Sequence, residues 1–152
     1  MTVATECYSC ARNADFDRLP PRERIAADGL WRVAHAFDSA LPGWLVLLPR
    51  RHVTSIAALT DTEASSLGIW QVRLSRALHK VTGCQKTYVA QFAEADGFAH
   101  VHFHIVSRPA GLASELRGPR IFFHLLGPND RPHIGEQQMD EIAMELSKEL
   151  QA

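Results

Sequence analysis

The stretch His100-Val101-His102-Phe103-His104-Ile105-Val106 alternates three imidazole side chains with large apolar ones. Side chains point to opposite faces along a strand, so the three histidines would project from one face about 6.6 Å apart, at ~3.3 Å per residue. Val101, Phe103 and Ile105 would point the other way, into a core. We therefore predict a strand from Val101 to Ser107 whose histidines form one wall of a site.

This row of imidazoles suits phosphate chemistry. Near neutral pH a histidine can act as a nucleophile, a proton carrier or a metal ligand, and a rigid strand fixes the relative positions of several. Two other interpretations stay open. One is an exposed strand face without function; the other is a three-histidine metal site, although neighbours on one strand rarely converge on a single ion without help from other segments.

Composition limits the possible partners. The chain has 152 residues, 46% of them hydrophobic, which favours a single domain over residues 1–152. Its 16 basic and 17 acidic residues nearly cancel, so we expect no nucleic-acid partner. Residues 1–6 lack the start of a signal peptide, and no apolar run approaches the ~20 residues that span a bilayer. We expect a soluble, cytoplasmic protein that does not enter a membrane.

Three further strands are predicted from turn signals and from runs of branched and aromatic residues. The turn Asp28-Gly29 precedes a strand over residues 30–37, and a Pro-Gly turn leads into a strand over residues 44–48. A third strand covers residues 86–92. It can form a hairpin with the histidine-bearing strand.

Two amphipathic helices complete the prediction. The first is capped by Thr60 or Asp61, repeats apolar residues at three- and four-residue steps, and ends at Gly83. The second covers residues 136–150. Residues 108–132 are rich in Gly and Pro and form either a surface loop or an arm to a partner subunit. The order of elements indicates the α+β class, with helices packed on one face of an antiparallel sheet.

Two motifs resemble the histidine-triad (HIT) family of nucleotide hydrolases and transferases. Residues 100–106 fit its signature H-φ-H-φ-H-φ-φ, where φ is apolar, and residues 41–52 are similar to its Pro-Gly-x-x-φ-φ-φ-Pro-[Lys/Arg]-x-His segment. The resemblance covers about residues 6–108 and leaves the C-terminal loop and helix, residues 109–152, outside it. It implies an antiparallel sheet with two main helices, paired as a homodimer.

The resemblance also implies an activity. The middle histidine, here His102, would attack the α-phosphorus of a nucleotide, and the nucleotidyl-histidine would then be hydrolysed. His104 is the candidate that stabilises charge on the phosphate oxygens as an imidazolium. The expected substrates are nucleoside phosphoramidates, dinucleoside polyphosphates or related AMP and GMP conjugates. A nucleotidyltransferase or phosphorylase, and a nucleotide-binding module with vestigial turnover, are the alternatives.

Three further residues are candidate substrate contacts. By resemblance, Asp38 would bind ribose hydroxyls and Gln91 would replace a phosphate-contacting asparagine, while a plain turn or edge role stays open for each. Gly97 belongs to Asp96-Gly97-Phe98-Ala99, where the chain departs from the commonest family pattern before the triad. The recognition of the leaving group depends on this segment.

Cys7 and Cys10 form a Cys-x-x-Cys pair, which can share a tetrahedral zinc ion if two further ligands join it. A redox dithiol or two ordinary cysteines are the alternatives. Resemblance to zinc-containing family members implies that His52 and His100 complete a closed, structural Cys2His2 zinc site. The remaining cysteine and histidines are expected in packing or surface roles: Cys84, His35, His79, His124 and His133.

Overall fold

Five strands and three α-helices make up the fold in the computed structural model, which describes residues 6–123 and 132–152. The strands are β1 Ala26–Ala27, β2 Trp31–His35, β3 Trp44–Pro49, β4 Lys86–Gln91 and β5 Phe103–Arg108. The helices are α1 Tyr8–Ala14, α2 Asp61–Thr82 and α3 Glu136–Gln151. None of the helices in these ranges is long and apolar enough to cross a membrane. His124 lies outside the described residues.

The five strands form one antiparallel sheet in the order β1-β2-β3-β5-β4, so the α+β class is confirmed. The predicted hairpin is present as β4 and β5. Asp28 makes the turn between β1 and β2, because its carboxylate accepts the backbone N–H groups of Leu30 at 2.8 Å and Trp31 at 2.7 Å.

The predicted start of the histidine-bearing strand is wrong by two residues. β4 ends at Gln91, which pairs with Phe103, so the residues before Phe103 have no ladder partner there. Instead, the backbone N–H of Val101 donates to the carbonyl of Val53 at 2.8 Å. Val101 is still fully buried, so the alternation of buried and cavity-facing side chains extends beyond the regular strand.

Both long helices pack on one face of the sheet, as predicted. Alternate residues of the central strands, such as Val33, Leu47 and Ile105, are fully buried against them. α2 begins with a capping box, in which Thr60 Oγ1 accepts the Glu63 N–H at 3.1 Å and Glu63 Oε2 accepts the Thr60 N–H at 3.0 Å. The predicted ends of α2 are therefore confirmed.

Two parts of the chain cover the opposite face. Residues 109–123 fold back over it, because Ile121 is fully buried in a cluster with Trp44 and Val106. The short helix α1, which the sequence pattern did not predict, lies near the start of the chain. The Sγ of its N-cap residue Cys7 accepts the backbone N–H of Cys10 at 3.3 Å. Between these two parts the sheet opens onto a cavity.

Candidate active site and metal centre

Four side chains from three distant segments converge beside the sheet. Cys7 and Cys10 come from the first turn of α1, His52 follows β3, and His100 precedes β5. Their ligand atoms all lie within 4.8 Å of one another. Cys10 Sγ is 3.2 Å from His52 Nδ1 and 3.5 Å from His100 Nδ1, and Cys7 Sγ is 3.6 Å from His100 Nδ1. The predicted Cys2His2 cluster is confirmed.

The geometry and the tautomer of this cluster both suit zinc. Tetrahedral coordination at the usual zinc–sulfur and zinc–nitrogen distances separates ligand atoms by about 3.3–3.8 Å. The three sulfur–nitrogen distances given above are close to this range, and all ligand atoms lie within 4.8 Å of one another. His100 Nε2 lies 2.7 Å from the carbonyl oxygen of Pro49, which can only accept, so Nε2 carries the proton. The lone pair of Nδ1 is therefore directed to the metal position, as in known zinc sites with a carbonyl behind the histidine. The cluster can hold a zinc ion.

His102 is oriented by a main-chain contact. Its Nδ1 lies 2.8 Å from the carbonyl oxygen of His100, so Nδ1 donates a proton to that oxygen and Nε2 keeps a lone pair. Its ring centroid is 5.0 Å from that of His104. The metal-cluster residue His100 and the candidate nucleophile are thus joined by a hydrogen bond as well as by the chain.

His104 is held in the complementary tautomer. Trp44 Nε1–H donates to His104 Nδ1 at 3.0 Å, which places the remaining ring proton on Nε2. Burial, and to a lesser degree His102, lowers the pKa of His104 to about 4. His104 is therefore neutral near pH 7, in contrast to the imidazolium expected from the sequence, and Nε2–H is its hydrogen-bond donor.

The depressed pKa of His104 predicts a loss of stability in acid. Because the pKa is about 6.5 in the unfolded chain and about 4 in the folded one, the unfolded state takes up the proton first. The contribution of neutral His104 to the free energy of unfolding is fully present above pH 6.5 and is lost as the pH falls to 4. It amounts to a total on the order of 3 kcal/mol. Urea unfolding of the parent and of His104→Gln between pH 7 and pH 4 measures this: the variant should lose less stability. Equal losses would contradict the depressed pKa of His104.

His102 and His104 line a cavity of about 410 Å³. Its floor is the helix-free face of the sheet, with Ala34 and Val46 in register with His104. An aromatic cluster forms one wall, with ring centroids 5.3 Å apart for Tyr8–Phe37, 5.3 Å for Tyr8–Phe98 and 5.6 Å for Phe37–Phe98. The cavity thus combines an aromatic wall with histidines on the floor of the sheet.

No protein-family model matches the chain, and no curated protein matches its sequence. Solved structures, in contrast, are similar to the chain. A zinc-bound histidine triad family protein from Mycobacterium smegmatis is similar with a TM-score of 0.69 over 97% of this chain and 95% of that one, at 15% identity. A histidine triad protein from Bradyrhizobium japonicum is 25% identical over 84% of this chain and 89% of its own, with a TM-score of 0.67. A hypothetical histidine triad nucleotide-binding protein from Sulfolobus tokodaii gives a TM-score of 0.71 over 95% and 92% of the two chains, at 10% identity.

The chain has the histidine-triad fold. The resemblance first indicated by residues 41–52 and 100–106 is confirmed at the level of the fold and of the Cys2His2 cluster. Within this fold, the cavity face of the sheet carries the second and third triad histidines, while the first belongs to the metal cluster.

The three candidate substrate contacts lie in different places in the histidine-triad fold. Asp38 lines the cavity and has a φ of 56°, in the left-handed region. Gln91 pairs with Phe103, whose side chain belongs to the helix-side core, so Gln91 lies on the opposite face of the sheet from His104. Gly97 has its carbonyl 3.3 Å from the Tyr8 N–H and is not among the cavity-lining residues. The structure brings Asp38, but not Gln91 or Gly97, together with the two histidines.

Of the other described histidines, His35 also lines the cavity, and His133 Nδ1 lies 3.8 Å from the carboxylate of the cavity residue Asp38. His35 is buried in a packing position, where Nδ1–H donates to the Ala36 carbonyl at 2.8 Å and Nε2 accepts the Gly43 N–H at 3.1 Å. His79 and His133 are exposed. Cys84 is buried in the helix-side core, as expected.

Sequence reasoning missed a charged group in the cavity. Tyr8, Glu23 and Arg32 all line it, and both charged side chains are buried. The only local signal was Arg32 itself, an ionised residue inside the apolar run of β2. Its partner comes from a 3-10 turn, Pro21–Glu23, whose position depends on tertiary contacts.

Proposed function

We propose that this protein is a nucleotide hydrolase that forms a nucleotidyl intermediate on His102. The observation that carries the proposal is the pair of opposite tautomers at the cavity edge. His102 keeps a lone pair on Nε2, and His104, with its ring centroid 5.0 Å away, keeps a proton on Nε2. A nucleophile and a hydrogen-bond donor therefore stand side by side.

The reaction follows from these two nitrogens. His102 Nε2 attacks the α-phosphorus, forming a P–N bond as the bond to the leaving group breaks on the opposite side. A leaving amine or phosphate takes its proton from solvent. Water then attacks the same phosphorus and releases the nucleoside monophosphate, which regenerates His102. The His104 Nε2–H donates to a non-bridging phosphate oxygen, where negative charge develops in both displacements.

The remaining cavity supports a nucleoside next to this phosphate position. Its volume of about 410 Å³ is within the usual range for small-ligand sites, and its aromatic wall can stack on a base. Asp38 offers a carboxylate to ribose hydroxyls. Roles for Gln91 and Gly97 in substrate binding remain predictions, and their positions lend them no support.

The Cys2His2 cluster is proposed to be structural. Four protein ligands complete a tetrahedral zinc shell and leave no open position for water, so the ion would supply cross-linking and no Lewis-acid step. Two of its ligands flank Tyr8 and Ser9, which line the cavity, and His100 holds His102 through its carbonyl. The cluster thus ties a cavity wall to the catalytic histidine.

The homodimer and the cytoplasmic location are further proposals. The homodimer comes from the family resemblance, and β4 lies at one edge of the sheet that the described residues form, where a strand of a second copy could pair with it. Light scattering on the purified protein measures the mass directly, and a mass of one chain would contradict the dimer.

Product analysis tests the proposed activity. The zinc-loaded protein is incubated with adenosine and guanosine 5′-phosphoramidates and with a dinucleoside polyphosphate, with and without inorganic phosphate. A hydrolase releases nucleoside monophosphate in both conditions. Release of nucleoside diphosphate only with phosphate would instead identify a phosphorylase. Tight nucleotide binding without any product would identify a binding module.

A further inference from the structure

A hydrogen-bonded ion pair lines the same cavity. Arg32 Nη1 donates to the Glu23 carbonyl at 2.7 Å and to Glu23 Oε2 at 3.3 Å, and Tyr8 OH donates to Glu23 Oε1 at 2.7 Å. Arg32 Nε donates to Asn13 Oδ1 at 2.7 Å. Arg32 is 1% exposed and Glu23 8%, and both line the cavity.

These contacts leave hydrogen-bonding capacity unused. Arg32 Nη2 has no hydrogen-bond partner among residues 6–123 and 132–152, although a guanidinium carries five donors. Each carboxylate oxygen of Glu23 accepts one hydrogen bond in the same ranges and has room for another. A buried ion pair adds little stability compared with an apolar pair of similar volume. Stabilisation of the fold alone therefore does not explain why two charged side chains, Glu23 and Arg32, line the cavity.

The sheet register sets the distance from this pair to the phosphate position. His104 is in register with Val46 and Val46 with Ala34, while Arg32 is in register with the cavity residue Leu48. Arg32 is therefore two strands from the strand of His104, roughly 10 Å across the sheet at the usual spacing, and two residues along it towards the His102 end. A nucleotide held at His102 by its α-phosphorus and lying across the strands would bring the far edge of its base to Glu23 and Arg32.

We propose that Glu23 and Arg32 recognise the Watson–Crick edge of guanine. That edge presents one acceptor, O6, followed by two donors, N1–H and the 2-amino group. The protein presents the complementary set, with Arg32 Nη2 as donor and the two carboxylate oxygens of Glu23 as acceptors. Adenine presents one donor and one acceptor, so it would leave the second hydrogen-bonding position of one Glu23 carboxylate oxygen unused and would place its acceptor N1 against a carboxylate. The inference rests on the proposed function, because that function places the α-phosphate at His102. It adds the identity of the base, which the proposed function does not specify.

Binding of mononucleotides tests the proposal separately from turnover. Calorimetry with GMP, IMP and AMP on the zinc-loaded protein should show GMP bound about 10- to 100-fold more tightly than AMP. IMP lacks the 2-amino group and should fall between them. Because this series changes only the ligand, it stays informative whatever a protein variant does to folding. Equal affinities for GMP and AMP would overturn the proposal.

A variant pair assigns the preference to the carboxylate. Glu23→Gln replaces an acceptor oxygen by an NH2 donor and should reduce the GMP preference to within about threefold of AMP. Glu145→Gln is the matched control, because Glu145 is an exposed carboxylate of α3 and is not among the cavity-lining residues, and it should keep the parent preference. A full preference in Glu23→Gln would overturn the assignment. Guanine-selective binding without turnover would support this inference and contradict the proposed hydrolase activity. Turnover without a base preference would support the hydrolase activity and contradict this inference.

Discussion

We expect His102→Ala to lower kcat/KM for nucleoside phosphoramidates by about 10⁴-fold, because the change removes a covalent nucleophile and leaves the binding groups in place. The remaining activity would come from a bound substrate attacked directly by water. Since His102 is half-buried and its one hydrogen bond among the described residues goes to the His100 carbonyl, the variant should keep its fold. Initial rates over a range of substrate concentrations separate kcat from KM.

The matched control is His79→Ala, which removes an exposed imidazole from α2, outside the cavity. It should match the parent within a factor of two, since surface changes of this kind have small effects. If His102→Ala kept activity within tenfold of the parent while melting at the same temperature, His102 would not be the nucleophile.

Removing the metal has the second largest expected effect. The cluster joins α1, the segment after β3 and the segment before β5, and metal binding to a folded site stabilises the fold by mass action. At a free zinc concentration ~1,000 times Kd the stabilisation is about 4 kcal/mol, which corresponds to a loss of roughly 10 °C or more in Tm for a domain of this size. Differential scanning calorimetry before and after chelation measures this loss.

Cys10→Ser isolates the metal from other effects of chelation. The variant should contain less than one zinc per chain by elemental analysis, melt near the chelated parent and bind GMP more weakly, because Tyr8 and Ser9 would no longer be held against the cavity. The comparison is Cys84→Ala, which changes a cysteine of the helix-side core and should retain zinc. Purified parent protein with no zinc and a Tm unaffected by chelation would contradict a structural metal site.

Local patterns predicted those parts of the fold that depend on neighbouring residues. Thr60 and Gly83 define α2, because a capping box and a left-handed C-cap are built within one turn of chain. The two-residue alternation placed Val101, Phe103 and Ile105 in the core. These features need no knowledge of which segments pair.

Features that depend on distant partners could not be predicted in the same way. Helix α1 has seven residues, too few for a periodic signal, and two of the residues at its start belong to the Cys2His2 cluster. The face occupied by Gln91 depends on its register with Phe103, since a shift by one residue would turn it towards the cavity.

The candidate site shows the same division. The cysteine pair indicated a possible zinc site, and the resemblance to the histidine-triad family supplied His52 and His100 as the other two ligands of the cluster that the structure shows. The same resemblance supplied the roles of His102 and His104, which stay predictions. The tautomers of the two histidines could not be predicted from the sequence. The tautomer of His104 depends on the indole N–H that Trp44 donates from β3, and the tautomer of His102 depends on the carbonyl of His100. Charge in the cavity arises where Glu23 meets Arg32, nine residues apart in the chain and paired only in the folded protein.

Trapping the covalent intermediate is the most direct test of the account. The zinc-loaded protein is mixed with excess guanosine 5′-phosphoramidate, quenched in base, where a P–N bond to histidine survives, and digested for mass spectrometry. We expect one guanylyl group on the peptide that contains His102, formed no more slowly than turnover, and none in His102→Ala. Rapid GMP release with no adduct on that peptide, or an adduct on another residue, would contradict the central claim.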